Sequence, residues 1–208
     1  MKILLIGANG LIGINLFYIL SRVNDFTLYA LVRKKNKFIN FFEASNFKNL
    51  IELNNFLDLP KLELLIKDLK PKIIINCCGI TKHNPNINNK EEVIYINALF
   101  PHVLARMSNK YNAKLIHIST DCVFSGGKGF YDENSNKDAR DFYGTTKSLG
   151  ELKDKNHLTL RTSTIGHEIF TSSGLLNWFL DQKKCLGYTN AIFSGPTTIE
   201  LAKIIKNQ

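Results

Sequence analysis

The stretch that most constrains this chain is its first thirteen residues. Lys2 to Ile6 is a short, almost continuously apolar run. It ends in Gly7-Ala8-Asn9-Gly10-Leu11-Ile12-Gly13, after which apolar residues recur at helical spacing through Leu16, Phe17, Ile19 and Leu20. That order reads as strand, glycine-rich turn, helix. Gly7 permits the tight turn, Gly10 lets the backbone approach a diphosphate, and Gly13 lets helix and strand pack closely, while the helix N-terminus offers free N–H groups and a positive dipole end. Gly7, Asn9, Gly10, Leu11, Ile12 and Gly13 are therefore the expected contacts of a dinucleotide cofactor. A purely structural turn is the competing reading; the position directly after a first strand favours the nucleotide site.

The next strand, Thr27 to Val32, ends at Arg33-Lys34-Lys35. An NAD-preferring site usually places an acidic residue there for the ribose hydroxyls, whereas basic residues suit a 2′-phosphate. NADP(H) is thus the expected cofactor, with Arg33 as its best single contact and NAD(H) as the alternative. Lysines simply solvated in a loop would look the same.

Further on, Phe38 to Phe56 is rich in Asn and Phe without clear periodicity, compatible with a short helix and then a strand near Leu50 to Leu53. Leu59 to Leu69 reads as an amphipathic helix with Asp58 as its cap. Lys72 to Asn76 reads as a buried parallel strand running into Cys77-Cys78-Gly79-Ile80-Thr81. In an open parallel sheet such a strand end is where ligands bind. His83 reads as solvated. Glu91 to Lys110 reads as one long helix, with Asn97 on its apolar side bonded to a neighbouring carbonyl. Lys114 to Ser119 is another strand, delivering Thr120 and Asp121 to the same sheet edge. Strands and helices alternate throughout, which implies an α/β doubly wound parallel sheet, the Rossmann fold.

Tyr143 and Lys147 lie four residues apart at the start of a helix, so their side chains share a face. An ammonium beside a phenol favours the phenolate, which can make an otherwise inert hydroxyl a proton donor or acceptor. The chain has a formal charge of +9, from 27 Lys and Arg against 18 Asp and Glu. A basic surface attracts phosphorylated ligands, but there is no recognition motif or basic aromatic stripe for a nucleic acid. The four cysteines form no zinc pattern and no metal site is expected; they read as buried thiols of a reducing compartment. No segment reaches the length of a membrane span, so a cytoplasmic location is expected.

Gly-x-x-Gly-x-x-Gly after the first strand, Ser119-Thr120-Asp121-Cys122-Val123-Phe124-Ser125-Gly126 after a later one, and Tyr143-Gly144-Thr145-Thr146-Lys147 downstream occur in order. With Leu160 to Gly166, they make the chain resemble the extended short-chain dehydrogenase/reductase superfamily, most closely the dTDP-4-dehydrorhamnose reductases and related nucleotide-sugar reductases. The resemblance implies NADPH-dependent reduction of the 4-keto group of a nucleotide-activated deoxysugar in surface-polysaccharide precursor synthesis. Tyr143 would protonate the keto oxygen. Lys147 would bind the nicotinamide ribose and lower the tyrosine pKa, and Thr120 would hydrogen-bond the reacting oxygen, with Ser119 as its substitute. Cys78, Gly79, Tyr143 and Lys147 would also touch the cofactor; Thr81, Thr120, Asp121 and Arg161 would face the substrate. For Arg161 an ion pair is an equally weighted alternative. Residues 1–165 would be the cofactor domain and 166–208 a partial substrate lobe, with Trp178 in its core. Members of the family normally continue well past the position of Gln208, so the resemblance implies a shortened lobe.

The same fold and cofactor site would also serve a nucleotide-sugar epimerase or dehydratase, or a non-catalytic NADP-binding module that regulates a partner. A nucleotide sugar is the expected partner; monomer and homodimer are both open.

Overall fold

The computed structural model describes residues 1–35, 38, 49–55, 58–170 and 174–208. Six strands form one parallel sheet: β1 (Lys2–Ile6), β2 (Thr27–Val32), β3 (Leu50–Glu52), β4 (Ile73–Asn76), β5 (Lys114–Ile118) and β6 (Leu158–Leu160), in the order β3-β2-β1-β4-β5-β6. The chain steps outward from β1 to β3 and then returns to place β4 beside β1. The strand order therefore reverses between β1 and β4, where a doubly wound sheet opens a crevice at its C-terminal edge.

Both faces of the sheet are covered because its strands alternate two apolar sides. Ile3 and Leu5 of β1 pack with Ile14, Phe17 and Leu20 of α1 (Leu11–Leu20), while Leu4 and Ile6 pack with Leu62 and Ile66 of α2 (Leu59–Leu69). Asp58 caps α2, as its position suggests, by accepting the Lys61 N–H at 3.3 Å. A strand is present at Leu50–Glu52; the helix expected just before it falls on residues 39–48, outside the described residues.

The long helix expected from Glu91 to Lys110 is divided. It runs as α3 (Lys90–Ile94), a π-helical turn (Tyr95–Leu99) and α4 (Phe100–Lys110). Pro101 gives the physical reason: it has no N–H to offer the Asn97 carbonyl four residues earlier, and its ring crowds that carbonyl. The end of α5 (Phe142–Leu149) packs onto the same spot, where a Cβ on Gly150 would lie 2.0 Å from Asn97 O. A wide turn and a glycine together let two helices touch there.

Beyond β6, a short α6 (Leu175–Leu180) buries none of its residues, and Trp178, expected in a core, is 48% exposed. α7 (Thr198–Lys206) behaves differently. Its Leu201, Ala202 and Ile205 are buried in the same cluster as α1, so this stretch of the 166–208 segment packs on the α1 face of the sheet. A parallel bridge of Ile165 with Thr197 leads into it.

Candidate active site

Gly7 has φ +82°, and a Cβ there would meet Cys78 N at 2.9 Å, so the first turn lies directly against the end of β4. A Cβ on Gly13 would stand 2.2 Å from Gly7 O, which is backbone and cannot move aside. Gly13→Ala is expected to destabilise the fold by about 1–3 kcal/mol through overpacking and to weaken cofactor binding; denaturant midpoints and a cofactor titration check both. Gly10 is different. The nearest atom to a Cβ on it is Gly7 O at 3.5 Å, and as N-cap of α1 it supplies no capping side chain; the first turn of that helix holds no acidic residue. The helix N-terminus thus offers N–H groups through Leu11, Ile12 and Gly13 to an anion, with Asn9 on the turn beside them.

Arg33 and Lys34 lie exposed just past β2. Arg33 is near enough to Cys78 to act on its thiol, although burial still pushes that thiol up to about 12. Glu52 at the end of β3 accepts the Lys35 N–H at 3.0 Å, so one carboxylate does stand beside this basic run. Gly79 is exposed, and a Cβ on it would lie 3.9 Å from Lys147 Nζ. An uncapped helix end, an open glycine, a cation past β2 and a lysine behind Gly79 form a continuous cradle at the strand-order reversal. These residues fit a dinucleotide.

The expected catalytic side chains, Thr120 and Tyr143, come together past the end of the next strand, β5. Thr120 follows β5 and caps a 3-10 turn (Asp121–Val123), accepting the Cys122 N–H at 3.1 Å and donating to Asp121 Oδ1 at 3.2 Å. Tyr143 enters from α5, whose N-cap Asp141 accepts the Gly144 N–H at 3.0 Å. A Cβ on Gly144 would lie 2.2 Å from Cys122 O, so this glycine brings the helix against the turn that carries Thr120. Burial pushes the Tyr143 phenol up to about 12, opposed by the nearby Thr120 hydroxyl.

Lys147 is 3% exposed and donates to Ile118 O at 2.7 Å. Burial lowers its pKa to about 8, against the pull of Cys78, Cys77 and Glu151. The expectation that Lys147 draws the tyrosine pKa down does not hold here. Its ammonium is turned onto a backbone carbonyl, and loss of hydration governs the phenol. The result is a neutral phenol at neutral pH, which is the form a proton donor needs.

Of the expected substrate contacts, Thr81 and Asp121 are exposed at this edge, and Asp121 Oδ2 accepts from the Ser163 hydroxyl. Arg161 points elsewhere. Its Nε and Nη2 grip Glu151 at 2.9 and 3.0 Å and its Nη1 donates to Glu133 O at 3.0 Å, so the ion-pair alternative describes it. Ser119, the suggested substitute for Thr120, is likewise turned away and donates to Glu151 Oε1 at 2.8 Å. His83 is exposed, as read.

Two residues matter more than the sequence suggested. Asn97 accepts the Ile80 N–H at 2.8 Å, donates to Ile80 O at 2.9 Å and to Thr146 Oγ1 at 3.3 Å. It thereby clamps the loop after β4 to the helix of Tyr143 and Lys147. Pro101, four residues on, was the available signal. Lys82 reaches across the mouth of the site to Asp141 Oδ2 at 3.3 Å and stands 5.9 Å from the Tyr143 ring centre.

Residues 1–177 match the family model described as RmlD substrate binding domain. The chain belongs to that family. Spore coat polysaccharide biosynthesis protein SpsK of Bacillus subtilis is 27% identical over 172 residues, covering 80% of this chain and 54% of that protein. The chain thus spans about half the length of that curated relative. Among solved structures, a hypothetical dTDP-4-dehydrorhamnose reductase from Sulfolobus tokodaii superposes with TM-score 0.78 at 28% identity, over all of this chain and 71% of that one. A dTDP-4-dehydrorhamnose reductase from Bacillus anthracis in complex with NADP gives TM-score 0.74 at 22% identity, over 99% and 69%, and that likeness shows the shared fold. Within the RmlD family frame, the Gly7 to Gly13 turn and the Thr120, Tyr143, Lys147 group all fall inside the matched residues. No helix among the described residues is long and apolar enough to cross a membrane, and none of their His, Cys, Asp and Glu side chains cluster as a metal site would.

Proposed function

We propose that this chain binds NADPH and reduces the 4-keto group of a nucleotide-activated deoxysugar, a step in making surface-polysaccharide precursors. The observation that carries this reading is the meeting of two elements at the C-terminal sheet edge: Gly144 of α5 lies against the Cys122 carbonyl of the turn that Thr120 caps, which sets Tyr143 beside Thr120, and Lys147 of the same helix lies behind Gly79. The Sulfolobus and Bacillus relatives named for this activity and the NADP held by one of them point the same way.

In this reading Gly7, Gly10 and the N–H groups of Leu11, Ile12 and Gly13 hold the diphosphate of the cofactor. Arg33 takes the 2′-phosphate, and Lys147 takes the nicotinamide ribose near Gly79 and Cys78. The bound cofactor supplies the hydride. Thr120 orients the keto oxygen by hydrogen bonding, and Tyr143 Oη delivers the proton to it as charge develops. Thr81 and Asp121 face the sugar. Asp121, already held by Ser163 and Thr120, is poorly placed as the acid of a dehydratase. Residues 1–165 form the cofactor unit, and the packing of α7 on α1 brings Thr198–Lys206 back to that unit, leaving about the first thirty residues of 166–208 for the substrate side. The four free thiols suit a reducing compartment such as the cytoplasm, although Cys185 is exposed rather than buried as the sequence suggested.

The test is NADPH oxidation over a small panel of nucleotide 4-ketosugars. Turnover with exchangeable NADPH supports the reading; tightly retained NAD without net reduction would transfer the chain to the epimerases or dehydratases. Cofactor binding with no turnover on any member would favour a regulatory module. Arg33→Asp is expected to weaken NADPH at least tenfold more than NADH, measured by fluorescence titration, and equal effects would remove Arg33 from the 2′-phosphate.

A further inference from the structure

Glu151 lies just past α5, four residues after Lys147, and its carboxylate is only 4% exposed. Four donors reach it from three other parts of the chain. Ser119 Oγ bonds Oε1 at 2.8 Å from the end of β5, Arg161 bonds both oxygens at 2.9 and 3.0 Å from beyond β6, and Lys137 Nζ bonds Oε2 at 3.1 Å from the loop before α5. Lys137 also donates to Ser148 O at 2.9 Å, and Arg161 lies over the Phe124 ring at 5.2 Å.

Replacing a buried ion cluster of this kind by apolar residues is often neutral or stabilising, so stability alone explains it poorly. Its position explains more. Ser119 immediately precedes Thr120, and Lys147 is one turn back on the same helix. We propose that Glu151 is a positioning residue of this site: its carboxylate fixes the Ser119–Thr120 strand end against the helix of Tyr143 and supplies the negative charge that balances Arg161 and Lys137 beside Lys147. The proposal rests on the reading of Tyr143 and Lys147 as the reacting pair.

The groups facing Lys147 bear this out. Cys77 and Cys78 at the end of β4 are protonated thiols held high by burial, and His117 on β5 is kept neutral, its pKa lowered well below the usual value by burial and by Lys147 itself. Tyr143 on the same helix is a neutral phenol. Glu151 is thus the one carboxylate acting on Lys147 among the described residues. Without it, Arg161 and Lys137 remain as uncompensated cations.

The direct experiment is a pH titration of Lys147 by NMR in protein carrying lysine labelled at the ε-carbon, with its signal identified by its loss in Lys147→Met. Glu151→Gln is expected to lower the Lys147 midpoint by about one unit and to move the pH profile of kcat with it, leaving KM for NADPH nearly unchanged; Glu151→Asp restores part of the shift. Should Glu151→Gln fail to fold, Lys137→Met, at a partly exposed position, is expected to raise the midpoint instead. A Lys147 midpoint that stays put in whichever variant folds overturns the proposal. The titration needs neither substrate nor cofactor, so a parent protein that shows the shift and yet reduces no ketosugar would contradict the reductase reading alone.

Discussion

Tyr143→Phe leaves the fold and cofactor affinity nearly intact and lowers turnover of a nucleotide 4-ketosugar by about 10²- to 10⁴-fold, the usual size of a lost general acid. The change removes one oxygen from a half-buried side chain held in place by packing of α5 on the turn at Cys122, so nothing in the cofactor cradle is disturbed. Because the phenol is neutral, the loss should appear in kcat and kcat/KM together across neutral pH, rather than as a shift of the pH optimum. Steady-state rates beside a cofactor titration check both halves of this expectation. Retained turnover would take Tyr143 out of the acid role and leave Thr120 as the group nearest the reacting oxygen.

Lys147→Met gives the second large effect, and its sign in stability is opposite to its sign in activity. The lysine titrates near 10.5 when exposed and is lowered to about 8 in the folded chain, chiefly by burial. Below about pH 8 both states carry the charge, and the folded state bears the full desolvation cost, of the order of 3 kcal/mol. Between the two pKa values the unfolded chain binds more protons, so parental stability rises with pH, and above about 10.5 the cost is gone. Lys147→Met should therefore be more stable than the parent at about pH 6.5, with an advantage that shrinks to nothing by about pH 10.5. Denaturant melts at both pH values check this. In activity the same variant is expected to lose the proposed ribose contact and to fall well below the parent, which steady-state rates check.

Why the fold could be read so far in advance is visible in its elements. β1, β2, β4 and β5 are apolar runs buried on both faces, and the glycines between β1 and α1 have spacings that only a close turn explains. The interruption of the long helix was also written in the chain, at Pro101, but its consequence, the clamp of Asn97 on Ile80, depends on a loop seventeen residues away and on Gly150 packing from another helix. Long-range partners of that kind leave no periodicity. Arg161 shows the same limit: a lone arginine after a strand is compatible with substrate or with an ion pair, and only the fold brings Glu151 and Glu133 to its fork. The tuning of Tyr143 went the other way from the motif-based expectation because spacing on a helix says nothing about how much water each group loses. α7 was placed with the substrate lobe by its position in sequence, whereas its Leu201 and Ile205 find their apolar partners on α1.

The central event of the proposed reaction is delivery of a hydride to a sugar carbonyl that Tyr143 protonates. The most direct test uses NADPH carrying deuterium at the transferable C4 position and a nucleotide 4-keto-6-deoxysugar, followed by mass and NMR analysis of the product. One deuterium is expected at sugar C4, stoichiometric with NADPH oxidised, with no transfer in Tyr143→Phe on the same timescale. Recovery of the label in the cofactor, with the ketosugar unreduced or merely isomerised, would contradict it.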